Sequence, residues 1–492
     1  MWLTDIMMIL FAGAMASLLV DMGRRYYGGY RQYFSGAVAL SAIASSLIIV
    51  LAEWVRETPG ATVTQPVVSP LATIYVIDSF SMFIIITELF VGLVIAYFSA
   101  VYLTPKDNAG PFFALLLIML LSLTGVSTAG DLLSLFLFWE GMAIAAYGLV
   151  SFRRRSRISL EASMKYFFLA GAGSLLALYG ISIIYAATGS LRLSALAATS
   201  VAGSQTGVLG MLMLVVGFGV EAAIVPLHTW LPDVYSAAPT PVAALISGAV
   251  TGTGVFVIVR IVQPGTMLGI YSHPEGYLQS AQLLLVVLAV ATMLLGNLSA
   301  LGQTNLRRML GYSSISQTGY MLAAISTFSI PGLLAVVFNI WNHSLLKSDF
   351  FMLTGRSDND YSMTEMKNLA GMGGRSRLSA FMYASTSLGM VGSPPFGLFW
   401  SELLIVQSLL LMRSTVFTLL AIIVVANIVL SIGYYFRVIN SVASVSESPN
   451  PPPSPRRREM AAPLALLLVS ILTGIVPGLF VSHIAMVGGV LP

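Results

Sequence analysis

The sequence predicts an all-α polytopic membrane protein. Three observations carry this. Of 492 residues, 57% are hydrophobic and 9% are charged, against roughly 25% charged in a soluble domain. Apolar runs of bilayer-spanning length, about 20 residues, recur along the whole chain. The lysines and arginines gather in alternate connecting segments, as orientation in a membrane requires.

Taken in order, the apolar runs predict fourteen helices, near 3–20, 35–52, 76–103, 111–128, 132–152, 161–187, 206–226, 240–262, 279–302, 309–328, 331–354, 379–411, 415–438 and 461–486. The first lacks a basic start and carries Asp5, so a retained helix is expected and not a cleaved signal. Of the 24 lysines and arginines, 18 follow odd-numbered segments, Arg24, Arg25, Arg153, Arg154, Arg155, Arg307 and Arg308 among them. Arg56, Arg192, Arg260 and Arg413 follow even-numbered ones, and Lys165 and Lys347 lie inside segments. The bias predicts cytoplasmic arginine-rich loops and both termini on the non-cytoplasmic side of the cell membrane. The stretch "ESPNPPPSPRRR", 447–458, is a basic linker whose prolines exclude a helix. The polar stretch 356–377 is expected to face a partner.

Several chemistries are excluded. With zero cysteines there are no disulfides, thiolate metal sites or cysteine nucleophiles. The net charge of +4 comes from loop arginines and marks no nucleic-acid partner. "HTWLPD" lacks zinc-ligand spacing, and "GMGGR" has no strand before it to make a phosphate loop. No metal and no cofactor are expected.

Function therefore rests on ionisable groups at membrane depth. These are costly there and are functional hypotheses by default. Glu140 lies near the middle of the fifth segment. Glu221 precedes Pro226 by five residues in "GFGVEAAIVPLHTW", with His228 close by. Proline removes a helical hydrogen bond, and broken helices at membrane depth occur where they are buried in protein or line a cavity. The twelfth segment repeats the coincidence: Pro394 and Pro395 interrupt "MVGSPPFGLFWSE" shortly before Glu402. Two breaks five helices apart fit inverted five-helix repeats, as in many transporters. His343 and Lys347 stand four residues apart on one helical face and read as a proton relay. For each group the alternative is a structural role, a neutral carboxyl or a paired lysine. Glu88 and Lys165 are secondary relay positions, and Lys165 is placed to reach the cytoplasmic edge.

The motifs "FWEG", "SLEASMKYFFLAGAGSLLALYGISIIYAATGSL", "VPLHTWLPDVYSAAPTPVAALISGAVTGTGVFVIVR", "LGQTNLRRMLGYSSISQTGYML", "FNIWNHSLLK" and "PPFGLFWSE" follow one another along the chain. Together, over roughly residues 70–440, they resemble the antiporter-like membrane subunits of respiratory complex I, of Mrp antiporters and of energy-converting hydrogenases. Glu161 to Leu191 most resembles the N-type subunit of NADH-quinone oxidoreductase. The resemblance implies inverted repeats of helices 4–8 and 9–13, broken helices 7 and 12, and a hydrophilic axis through the membrane centre. It implies domains at 1–104 (helices 1–3), 105–262 (first repeat), 279–440 (second repeat) and 441–492 (linker and helix 14). Glu140 and Glu402 match the two ends of the axis. The family usually has lysine where this chain has Glu221 and, aligned on "TGVF", Gly252. With Glu140 facing Glu221, one shared proton is expected, because close carboxyls do not both ionise cheaply. Lys347 would be the available cation.

The implied function is a proton-translocating subunit of a redox-driven respiratory complex, like complex I or a membrane-bound hydrogenase, with the redox chemistry in other subunits. The alternatives are an Mrp-type Na+/H+ antiporter subunit and a non-conducting structural subunit of the same complex. The expected partners are other membrane subunits, the lipid bilayer, and protons, with Na+ as the alternative ion.

Overall fold

The computed structural model describes residues 2–23, 31–56, 63–66, 74–104, 107–152, 156–193, 205–262, 275–355, 364–444 and 457–487. Most of the Pro-rich stretch 447–458 and part of the polar stretch 356–377 fall outside the described residues.

The chain is a bundle of helices. In order these are α1 (Trp2–Met22), α2 (Arg31–Arg56), α3 (Ser79–Tyr102), α4 (Ala109–Thr128), α5 (Leu132–Val150), α6 (Arg157–Thr188), α7 (Gln205–Gly219), α8 (Trp230–Ala237) and α9 (Thr240–Val262). Then come α10 (Glu275–Leu301), α11 (Leu306–Ile325), α12 (Ile330–Leu353), α13 (Arg377–Met390), α14 (Gly397–Leu411), α15 (Thr415–Ala443), α16 (Arg457–Ile475) and α17 (Pro477–Val487). Among the described residues, ten of them are long and apolar enough to cross a bilayer: α1 to α6, α9, α10, α15 and α16.

One element departs from the all-α expectation. Val63–Pro66 (β1) and Ile74–Ile77 (β2) pair antiparallel ahead of α3. "VTQP" and "IYVI" contain β-branched and aromatic residues, which favour strands; β1 lies in a stretch expected as loop, and β2 takes up the first two residues expected of the helix at 76–103. Tyr75 bridges to Ala129 and so ties β2 to the end of α4.

Helix starts are set by side-chain caps, each worth about 1 kcal/mol. Asp78 accepts from Ser81 N at 2.7 Å and Ser81 Oγ from Asp78 N at 2.9 Å, a reciprocal box that opens α3. Asp131, Ser156, Asn305 and Ser329 cap α5, α6, α11 and α12 by accepting a first-turn backbone N–H, without the reciprocal bond. Close helix approach comes from glycine. A Cβ on Gly217 of α7 would stand 2.6 Å from Gly173 O of α6, so only hydrogen fits between these backbones.

The hub is α12, which packs against α3, α9, α11, α13, α14 and α16. Neither it nor α11 is among the ten apolar spans. In α11 the run "GYSSISQTGY" is almost wholly buried, so its polar groups meet protein and not lipid.

Candidate functional site

Both interrupted segments break where proline and glycine stand. After α7 the chain turns through residues 220–229, with a cis Val225–Pro226 bond and Ala223 in the left-handed region at φ 54°. A backbone freed at membrane depth needs other partners, and they are present. Val220 O accepts from Ala223 N at 2.9 Å and from Trp230 Nε1 at 2.8 Å. Val225 N donates to Thr292 Oγ1 at 3.2 Å. After α13 the turn has Gly392 at φ 73° and a cis Pro394–Pro395 bond. Ser393 N and Oγ both donate to Leu388 O, at 3.3 and 2.8 Å.

The first break presents Glu221, which is 1% exposed. Its Oε2 accepts from Tyr166 OH at 2.7 Å. Its Oε1 has no hydrogen-bond partner among the described residues. Tyr166 is fixed by stacking on Trp230, with centroids 4.1 Å apart, and by an edge contact with Tyr147. Glu140 of α5 lies within electrostatic reach of Glu221, and Tyr147 feels both. Glu140 Oε1 is likewise unpartnered. His228 follows Pro226, buried, with Nδ1 unpartnered.

The second break presents Glu402 at the start of α14, 5% exposed. Its Oε1 accepts from Gln317 Nε2 at 2.9 Å. Its Oε2 lies over Gly392, where a Cβ would collide with it. Tyr320, Tyr434 and Tyr435 all feel the Glu402 charge.

Lys347 and His343 sit between the two breaks, on α12. Lys347 is fully buried, and Nζ donates to Leu310 O at 2.8 Å and to Tyr435 OH at 3.4 Å. Among the described residues no carboxylate stands within ion-pair distance of it. Asp349, also fully buried, accepts from Thr386 instead. His343 lies one turn before Lys347, with Nε2 unpartnered.

Groups that sequence reasoning missed join these. Tyr235 OH lies 3.1 Å from Thr251 Oγ1, beside Ser247 and Ser314, and feels Glu221. Ser313 Oγ lies 2.6 Å from Tyr435 OH. Glu221, Tyr235, the α11 serines, Tyr435, Lys347 and Glu402 thus form one buried polar belt, with the half-buried Glu140 at its end. The available signal was the dip in apolarity at "GYSSISQTGY" inside a membrane-length helix.

Two positions lie off the belt. Lys165 is half exposed and pairs with Glu161 at 2.9 Å and Asp233 at 3.1 Å, and Asp233 also binds Arg308 at 2.5 Å. Glu88 is buried on α3 and accepts from Ser127 and Thr253. Gly252, where the resemblance has lysine, packs on Ile340 of α12. Among the described residues no group of three or more His, Asp and Glu has metal-site geometry.

Residues 129–431 match the family described as NADH:quinone oxidoreductase/Mrp antiporter, transmembrane. Subunit N of NADH-quinone oxidoreductase from Desulforudis audaxviator is 30% identical, over 96% of this chain and 95% of that one. The F(420)H(2) dehydrogenase subunit N of Methanosarcina mazei is 28% identical, over 82% of this chain and 81% of its own length. A chain of the membrane-bound sulfane sulfur reductase, an archaeal respiratory membrane complex, superposes with TM-score 0.85 at 27% identity, over 98% and 97% of the two chains. A chain of the Mrp complex from Dietzia shares the fold with TM-score 0.85 at 21% identity, over 99% and 97%. This chain belongs to the NADH:quinone oxidoreductase/Mrp antiporter transmembrane family.

Proposed function

We propose that the chain is a proton-translocating antiporter-like subunit of a redox-driven respiratory complex. It assembles with other membrane subunits, which hold the redox chemistry. The observation that carries this is the buried belt from Glu140 and Glu221 to Lys347 and Glu402. Charges this deep are costly unless they are used or paired. Among the described residues the lysine has no acid within ion-pair distance, and Oε1 of Glu140 and of Glu221 has no hydrogen-bond partner.

The membrane topology belongs to the same reading. The ten apolar spans are completed to fourteen by α7 with α8, by α11, by α12 and by α13 with α14. The last four are broken or polar, which is why apolarity alone does not single them out. The repeats run over 105–262 and 279–440. Residues 1–104 and 441–492 flank them. Both termini lie on the non-cytoplasmic side. The cluster of Lys165, Asp233 and Arg308 then marks the cytoplasmic end of the bundle. His228 and His343 flank the belt as further proton carriers.

The test is proton translocation by the reconstituted complex carrying Glu221→Gln or Glu402→Gln. Loss of translocation with electron transfer retained is expected for each. Unchanged stoichiometry in both variants overturns the relay. One observation favours a second reading, an Mrp-type Na+/H+ antiporter subunit: Glu140 and Glu221 both aim free carboxyl oxygens into the interior, and oxygen donors suit hard cations. Sodium-dependent proton movement in vesicles would select it.

A further inference from the structure

Glu88 stands apart from the belt, yet it has the makings of a proton carrier. It lies ten residues along α3 from its cap Asp78, about 15 Å at 1.5 Å per residue, near the middle of a hydrocarbon core about 30 Å thick. It is 1% exposed, and Oε2 has no partner among the described residues. Oε1 accepts from Ser127 Oγ of α4 at 2.9 Å and from Thr253 Oγ1 of α9 at 2.6 Å.

Thr253 supplies the decisive geometry. Its hydroxyl also lies 2.9 Å from Ala249 O, and it has one hydrogen to give. With Glu88 ionised, that hydrogen points to Oε1. With Glu88 protonated on Oε1, the new O–H donates to Thr253 Oγ1, and the threonine hydrogen turns to Ala249 O. Both protonation states are then fully bonded at Oε1, with one rotation between them.

The site has polar contacts in two directions. Ser127 O accepts from Arg260 Nη2 at 3.2 Å, and Arg260 pairs with Asp78 at 3.1 Å. This leads to the end of the membrane where α3 begins. Towards the belt, α9 carries Thr251 against Tyr235 two residues before Thr253, just past a π-helical turn at Ile246–Val250. Such turns are frequent at functional sites.

We propose that Glu88, positioned by Ser127 and Thr253, is a proton-loading site between the belt and the membrane face where α3 begins, with the Arg260–Asp78 pair standing at its outlet. The proposal rests on the proton-translocating reading above. The experiment compares Glu88→Gln, Thr253→Val, Thr253→Ser and Glu221→Gln in the reconstituted complex. Glu88→Gln should keep electron transfer and slow proton translocation about a hundredfold, within the range of a lost proton-transfer group. Thr253→Val, which preserves packing, should slow it and shift the infrared carboxyl band that Glu88→Gln removes. Thr253→Ser should restore both. If Glu221→Gln fails to translocate while Glu88→Gln and Thr253→Val behave as the parent, the Glu88 site is overturned and the belt stands. If Glu221→Gln also behaves as the parent, the wider reading has failed. An unmoved carboxyl band in Thr253→Val also overturns the proposal, because a packing role alone would leave it in place.

Discussion

At the first break Glu221 bonds one tyrosine and lies within reach of a second carboxylate, Glu140. At the second, Glu402 bonds the amide of Gln317, and its neighbours are three tyrosines. One of these, Tyr435, is shared with the buried Lys347. The backbones are alike: both carry a cis proline bond, a residue with positive φ and a tryptophan donating to a carbonyl, Trp230 to Val220 and Trp400 to Gly474. The charges differ. Among the described residues, the first side pairs two acids, and the second has an acid held by an amide and a buried cation held by a phenol. The break sets where a side chain can reach the interior, and the charge placed there is chosen separately.

The largest effect should come from the cation. Among the described residues Lys347 has no carboxylate within ion-pair distance, so its ammonium carries a desolvation penalty of several kcal/mol that no ion pair there offsets. Lys347→Met keeps the stem and removes the charge. Proton translocation should fall about a hundredfold or more, while thermal unfolding of the complex moves up, by about 1–2 kcal/mol after the lost bonds to Leu310 and Tyr435 are counted. A variant that is less stable and still translocates would break the comparison, because Lys347 would then be a structural cation.

A smaller effect tests the acidic side. Glu221→Lys gives Glu140 an opposite charge and makes the first break resemble the family's usual arrangement. Translocation should stay within about tenfold of the parent, against the near-complete loss expected for Glu221→Gln. If the lysine variant is as dead as the glutamine variant, the acid pair matters as an acid pair.

Much of this is legible in the sequence. Glu221, Lys347 and Glu402 stand out because a charge within an apolar run has few bland explanations. The breaks stand out because Pro226, Pro394 and Pro395 are visible in sequence. The linking groups do not stand out. Tyr166, Tyr235 and Tyr435 look like ordinary aromatic core residues, and only packing shows that each hydroxyl meets a charged or hydroxyl partner. The β1–β2 hairpin was hidden for another reason. It is short and lies between membrane-length runs, where the apolar signal of the helices dominates. Which acids meet which cations is set by how helices pack, and helix periodicity reports only which residues share a face.

The smallest effect concerns Lys165, which a sequence reader places among relay positions. It stands one residue before Tyr166, the direct donor to Glu221, so it is close to the belt in sequence. In space it points the other way, half exposed and shared between Glu161 and Asp233. Exposed pairs of this kind contribute about 0.5 kcal/mol. Lys165→Met should therefore lower stability by about that amount and leave translocation unchanged, since Asp233 keeps Arg308 as a partner at 2.5 Å. A loss of translocation in this variant, with Tyr166 intact, would mean that the cytoplasmic ion cluster feeds the first break, and the contrast between the two breaks would have to include how each is reached from the surface.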